Sequence, residues 1–241
     1  MAAPSRPTRS VALTLMQEAG TVEQRVDEGD WQRFQGIQRL SDHWVREDWP
    51  PSRHYVTWYV VFRDSAVQAY AARFQRELAD LDCLDPIPAN GLHMTIQGVA
   101  YRDQLDDEQI NAIAQRGAER CADLEPFDLS LGPISGFRAG TFVRAEPWAP
   151  VQQLRDRLRT AITDVLGAGA LPPEGSPFKP HMSITYCHAD SPAAPLIERL
   201  HRLRSAERVT TTVRSAELLD LYRHDLAYHW TTIASVPLGV T

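Results

Sequence analysis

From residue 55 onward the apolar positions switch repeatedly between a period of two and a period near 3.6. Residues 55–62 (YVTWYVVF) are dense in β-branched and aromatic side chains and predict a buried strand. Val67, Tyr70, Phe74 and Leu78 then recur at helical spacing within 65–81. A turn at Asn90-Gly91 opens a short strand over 91–99, a helix follows over 106–124, and 127–134 alternates as a strand. The series then repeats: strand 141–145, amphipathic helix 151–166, strand 180–186, helix 191–203, and closing strands over 209–221 and 228–236. This order lacks the long run of βα units of a doubly wound sheet. It predicts an α+β protein made by duplication: two similar lobes, about 52–136 and 140–238, related by a pseudo-twofold axis. Ahead of them lies an N-terminal extension, 1–50. Residues 1–20 have little periodicity and read as loose. Trp31, Phe34, Ile37, Leu40 and Trp44 predict an amphipathic helix capped by Asp30, and Pro50-Pro51 mark the boundary. So large an apolar stripe must be covered, and the short connection favours packing on the chain's own lobes.

The third element of each half carries the same kind of tetrapeptide, His93-Met94-Thr95-Ile96 and His181-Met182-Ser183-Ile184. Side chains alternate faces along a strand, so Met94, Ile96, Met182 and Ile184 point to the lobe cores. His93 with Thr95, and His181 with Ser183, point the other way. Residues two apart on a strand are ~6.5 Å apart, too far for the hydroxyl to be a nucleophile activated by its own histidine. The spacing suits two groups reaching one ligand. Across a pseudo-twofold axis, two imidazoles and two hydroxyls converge. Such a set can supply a general base, a general acid and two hydrogen bonds to phosphoryl oxygens, without a metal. One histidine on one strand is most often structural; two copies at matching places in matching halves carry the argument.

Composition narrows the field. The chain has 241 residues, 43% hydrophobic and 23% charged, as in ordinary globular proteins. No apolar run approaches the ~20 residues of a membrane-spanning helix, and the patch at 11–16 is too short for a signal-peptide core, so a cytoplasmic protein is expected. Net charge is −6, which argues against gripping long nucleic acid by its phosphates but leaves room for a small phosphate ligand. Cys83, Cys121 and Cys187 are scattered, and no zinc-binding, P-loop, dinucleotide or nucleophile-elbow spacing is present. No metal or cofactor is expected. Lys179 is the only lysine.

The two H-x-[T/S]-x strands, 88 residues apart, resemble those of the two-histidine (2H) phosphoesterases, and most nearly the bacterial 2'-5' RNA ligase or RNA 2',3'-cyclic phosphodiesterase family. The resemblance covers about residues 52–238. Phe178 and Pro180 before His181 are similar to the second family motif, and Phe142-Val143-Arg144-Ala145-Glu146-Pro147 to the strand and helix between motifs. The resemblance implies two lobes of antiparallel sheet with helices outside and a central cleft. It also implies metal-independent hydrolysis of 2',3'-cyclic phosphate ends of RNA or nucleotides to a 2'-phosphate, with 2'-5' ligation as the reverse. His93 and His181 would exchange protons, and Thr95 and Ser183 would hold the phosphate. Expected partners are RNA ends or small cyclic nucleotides acting on a monomer, with no membrane. The sequence departs from the family at Tyr186, where an arginine is common. Tyr186 could stack on a base, and Lys179, on the His181 face, could replace the charge. Two further readings stay open: a nucleotide or RNA-end binding module with little catalysis, and a 2H enzyme for a non-RNA cyclic phosphate such as an ADP-ribose derivative.

Overall fold

The computed structural model describes residues 21–45, 49–171 and 177–240. The expectation of a loose segment over 1–20 lies outside the described residues. Two antiparallel sheets stand side by side. The first runs β3 (His93–Tyr101), β1 (Tyr55–Val61), β8 (Ser215–His224), β9 (Ala227–Pro237). The second runs β2 (Leu84–Pro86), β6 (His181–Cys187), β5 (Gly140–Glu146), β4 (Phe127–Phe137), β7 (Val209–Val213). Helices α3 (Asp107–Cys121) and α4 (Trp148–Leu166) pack on each other and on the first sheet. Helices α2 (Ser65–Glu77) and α5 (Ala194–Leu203) cover the second. The close seat of α3 depends on Gly117, where a Cβ would come within 2.8 Å of the Trp58 ring.

The sheets are not the two halves of the chain taken in turn. Strand β4, from the first half, pairs with β5 and β7, whereas β8 and β9, from the end of the chain, complete the first sheet. The stretch 209–221, which reads as one strand, is broken at Arg214: residues before it belong to one sheet and residues after it to the other. The exchange ties the lobes together through the backbone. Short β2 has too few residues to show a period and was not foreseen in the sequence pattern.

The pseudo-twofold relation is visible residue by residue. In the first sheet His93, Met94 and Thr95 stand opposite Val61, Val60 and Tyr59, and the next pair is Gln97 with Trp58. In the second, His181, Met182 and Ser183 stand opposite Arg144, Val143 and Phe142, and the next pair is Thr185 with Thr141. The residue skipped is Ile96 in one and Ile184 in the other, so both motif strands bulge at the fourth motif position. A bulge bends and twists its strand locally, which re-aims the side chains beside it. Met94, Ile96, Met182 and Ile184 are all fully buried in the lobe cores, as alternation requires.

The N-terminal extension differs from expectation in extent. Helix α1 (Val22–Gln35) starts at Thr21, whose hydroxyl accepts from the Gln24 amide while the Gln24 side chain accepts from the Thr21 amide. Asp30 is therefore mid-helix and caps nothing. The helix stops at Gly36, and Ile37, Leu40 and Trp44 lie on a strap beyond it. There the backbone donors of Leu40, Ser41 and His43 go to the carbonyls of Ser191, Arg138 and Cys187 at 2.8, 2.8 and 2.7 Å. A strap bonded this way mimics helical spacing in its apolar residues without being helical. Trp31, Phe34 and Leu40 are buried in the main core. The Phe34 ring lies flat on Gly136 of β4, where a Cβ would meet it at 2.3 Å. The apolar stripe is thus covered by its own chain.

Candidate active site

Strands β3 and β6 approach each other across the seam between the sheets and bring both motifs to one cleft. His93, Thr95, His181 and Ser183 all line a single cavity of about 430 Å³. Each imidazole is fixed in the same way. The Nδ1 of His93 bonds the Gly91 carbonyl at 2.8 Å, and the Nδ1 of His181 bonds the Lys179 carbonyl at 2.8 Å. A carbonyl can only accept, so Nδ1 carries the proton in both rings and Nε2 is the nitrogen left for a ligand.

Their surroundings are unequal. His93 is only 6% exposed and stacks on Tyr59 with ring centroids 4.1 Å apart, Trp230 meeting its edge at 5.7 Å. Burial lowers its pKa to about 4, partly resisted by the bond to Gly91, with the nearby His181 adding a small repulsion. His181 opens onto the cleft, its ring edge-on to Phe142 at 5.4 Å. Its pKa is also lowered, chiefly by the loss of water between the cleft walls, while the Lys179 carbonyl and the Asp30 carboxylate push back against that loss and against Arg144. Without a ligand both imidazoles are neutral at pH 7. Tyr59 is held protonated, because burial raises its phenol well above the usual value.

Around His93 the cavity wall is aromatic. Tyr186, one of the residues singled out in the sequence, is buried there and stacks on His43 at 4.0 Å. His43 Nε2 is 2.9 Å from the Tyr228 hydroxyl, and Trp49 stacks on Tyr228 at 5.8 Å. Around His181 the wall is charged. Lys179 Nζ donates to both Asp30 oxygens at 2.8 and 3.1 Å. Arg144, its side chain 4% exposed, ion-pairs with Asp30 and with Asp27 at 3.5 Å, and Arg204 holds Asp27 at 2.6 Å. Lys179 and Tyr186 thus both border the cleft, but each is already engaged by a residue of the N-terminal segment. The residues that sequence reasoning missed are Asp30, Arg144, Tyr59, His43, Trp49 and Tyr228. One of them left a signal: Asp30, like Asp27, shares a helix with buried Trp31 and Phe34, and a carboxylate inside an apolar stripe requires a partner. Among the described residues no group of three or more His, Cys, Asp or Glu is placed to hold a metal, and no helix is long and apolar enough to cross a membrane.

A sequence profile of the 2'-5' RNA ligase superfamily matches residues 62–225, more than half of the chain and both histidine strands. The chain belongs to the 2'-5' RNA ligase superfamily. Its fold agrees with this membership. TT0787 of Thermus thermophilus superposes with a TM-score of 0.62 at 20% identity, covering 77% of this chain and 98% of that one. LigT of E. coli in apo form superposes at 0.57 and 13%, covering 77% and 98%, and LigT complexed with 3'-AMP at 0.57 and 14%, covering 78% and 99%. No curated protein matches the chain. Helix α1, the strap, β1 and β9 lie outside the stretch matched by the superfamily profile, yet Asp30, His43, Trp49, Tyr59 and Tyr228 come from them. The superfamily match therefore accounts for the histidines and hydroxyls, and this chain's flanking segments supply much of the wall around them.

Proposed function

We propose that the chain hydrolyses 2',3'-cyclic phosphate ends of RNA or nucleotides to a 2'-phosphate by two-histidine acid–base catalysis. The observation that carries this reading is the matched pair of imidazoles, each locked at Nδ1 by the carbonyl two residues before it and each lining the same cavity. The phosphorus sits between them. One Nε2 takes a proton from water as its oxygen attacks phosphorus; the other imidazole, protonated at Nε2, gives its proton to the departing 3'-oxygen as the P–O3' bond breaks. Thr95 and Ser183 donate to the non-bridging oxygens. The two imidazoles meet both proton transfers, so the mechanism requires no metal. With the 5'-hydroxyl of a second RNA end in place of water, the same groups break the P–O3' bond and join the ends through a 2'-5' bond.

LigT has been solved complexed with 3'-AMP, and in this chain an aromatic compartment beside His93 offers a place for a nucleobase. Cations do border the adjoining cavity at His181, where Arg144 and Lys179 pair with Asp30, and the intact pair of imidazoles and hydroxyls weighs against a binding module that lost its chemistry. The test is incubation with the four 2',3'-cyclic nucleotides in EDTA. Release of the 2'-phosphate supports the reading. Tight binding without turnover rejects it in favour of a module, and turnover restricted to non-RNA cyclic phosphates reassigns the substrate.

A further inference from the structure

The cleft sorts its charges. Among the described residues, no lysine or arginine lines the aromatic cavity that holds both histidines. The adjoining cavity, about 730 Å³, is lined among the described residues by Arg33, Arg138, Arg144, Arg155 and Lys179 and by one carboxylate, that of Asp30. The two cavities share Thr95 and His181, so the phosphate position lies at their junction. Five cations gathered at one side of one site are not explained by composition in a chain of net charge −6. Nor are they needed for the scissile group alone, which carries one negative charge and meets two hydroxyl donors.

The compartment already holds an anion, because Arg33, Arg144 and Lys179 all converge on the Asp30 carboxylate. One carboxylate does not cancel all of this positive charge. Arg138 stands at the rim with no ion-pair partner among the described residues, and the Arg33 side chain is 67% exposed. The wall that carries Asp30 and Arg33 is α1, which the superfamily profile does not reach.

We propose that this compartment binds a second phosphate of the substrate, carried on the 5'-oxygen of the ribose that bears the cyclic ester. The proposal rests on the phosphoesterase reading and narrows its substrate class. Two sources share this chemistry: the preceding phosphodiester of an RNA chain, and the 5'-phosphate of a nucleotide. Both put negative charge beside α1 while the base occupies the aromatic compartment. Cations around a partly open cavity act through a screened field, so the preference must weaken as salt rises.

The experiment compares kcat/KM in EDTA at low salt for three substrates: 2',3'-cyclic AMP, its 5'-phosphorylated form, and an adenosine dinucleotide ending in a 2',3'-cyclic phosphate. The 5'-phosphorylated substrates are expected to exceed the plain cyclic nucleotide by about tenfold or more, the scale of a hydrogen bond to a charged group. That advantage shrinks with salt. Arg33→Ala and Arg138→Ala, both at exposed positions, each reduce the ratio between substrates, whereas Arg116→Ala removes the same charge far from the cleft and leaves the ratio intact. An advantage confined to the dinucleotide and lost in the two arginine variants assigns the subsite to RNA; one shared by the 5'-phosphorylated nucleotide assigns it to the phosphate itself. Equal kcat/KM for all three substrates overturns the inference and leaves the phosphoesterase reading standing. Failure to turn over any of them overturns both.

Discussion

His93 and His181 sit at equivalent points of two strands with the same register, the same bulge and the same carbonyl lock, yet their neighbourhoods share little. His93 is sealed by Tyr59 and Trp230, and its polarity is set by burial. His181 faces an open compartment in which Asp30 and Arg144 pull its proton affinity in opposite directions. Backbone geometry has kept the duplication, and the side chains around it have separated the two imidazoles. A site that needs one proton donor and one proton acceptor gains from that separation, because two identical imidazoles would compete for the same proton.

The sharpest way to break the comparison is to remove one histidine at a time. His93→Ala and His181→Ala are each expected to lower turnover by about two to four decades, the range for a positioned proton-transfer group. Because the two act as a unit, the double variant falls little below the worse single one. A loss below about threefold at either position rejects the acid–base pair outright.

A second effect belongs to the charged side alone. Arg144 is buried, and its partners Asp27 and Asp30 both come from α1. Asp27→Ala leaves Arg144 and Arg204 short of a counter-charge, which costs about 3 kcal/mol when a buried pair is broken. For a chain of this size that is a fall in Tm of roughly 6–12 °C. Glu119→Ala, which breaks an exposed pair with Arg116, is expected to leave the melting curve where it was. Equal stability of the Asp27 variant and the parent would show that α1 is not anchored by these charges.

How much of this was legible in sequence follows from how local each feature is. The motif strands were readable because alternation is a property of four adjacent residues, and the cores confirm where Met94 and Met182 point. The exchange of β4 and β8 between sheets was not, since a strand's pattern states which face is buried and not which strand lies beside it. Asp30 looked like a helix cap because a cap is a local motif. Its partners Arg144 and Lys179 lie 114 and 149 residues away, and no window along the chain contains them all. The bulges at Ile96 and Ile184 were equally hidden, because an extra residue is defined only by the partner strand.

The hydroxyl pair gives a smaller contrast. Thr95 is exposed at the junction of the two compartments, and Ser183 is almost buried in the aromatic one. Thr95→Ala and Ser183→Ala are each expected to lower kcat/KM about tenfold, the cost of one charge-assisted hydrogen bond to a phosphoryl oxygen. Thr95→Ser should restore most of the loss. An effect at only one of the two positions would mean that the phosphate is gripped from one lobe.

The finest test reads the two imidazoles by their titration. The reactive form of the free protein has one imidazole protonated and one neutral, and the two apparent pKa values belong to the pair. His93 is lowered to about 4, and His181 is lowered from 6.5. Above the higher of the two values both rings are neutral and the acid is missing; below the lower both are charged and the base is missing. The profile of kcat/KM is therefore a bell whose maximum lies on the acid side of 6.5, with a limb falling toward neutral pH. Asp30→Asn sharpens the assignment. The Asp30 carboxylate favours the charged form of His181, while Arg144 opposes it. Without Asp30 the Arg144 charge acts unopposed, so the proton on His181 is held less tightly and the alkaline limb moves to lower pH. The acid limb, set by the burial of His93, stays in place. Movement of both limbs together would show that the two imidazoles share one environment, and movement of the acid limb alone would exchange the assignments made here.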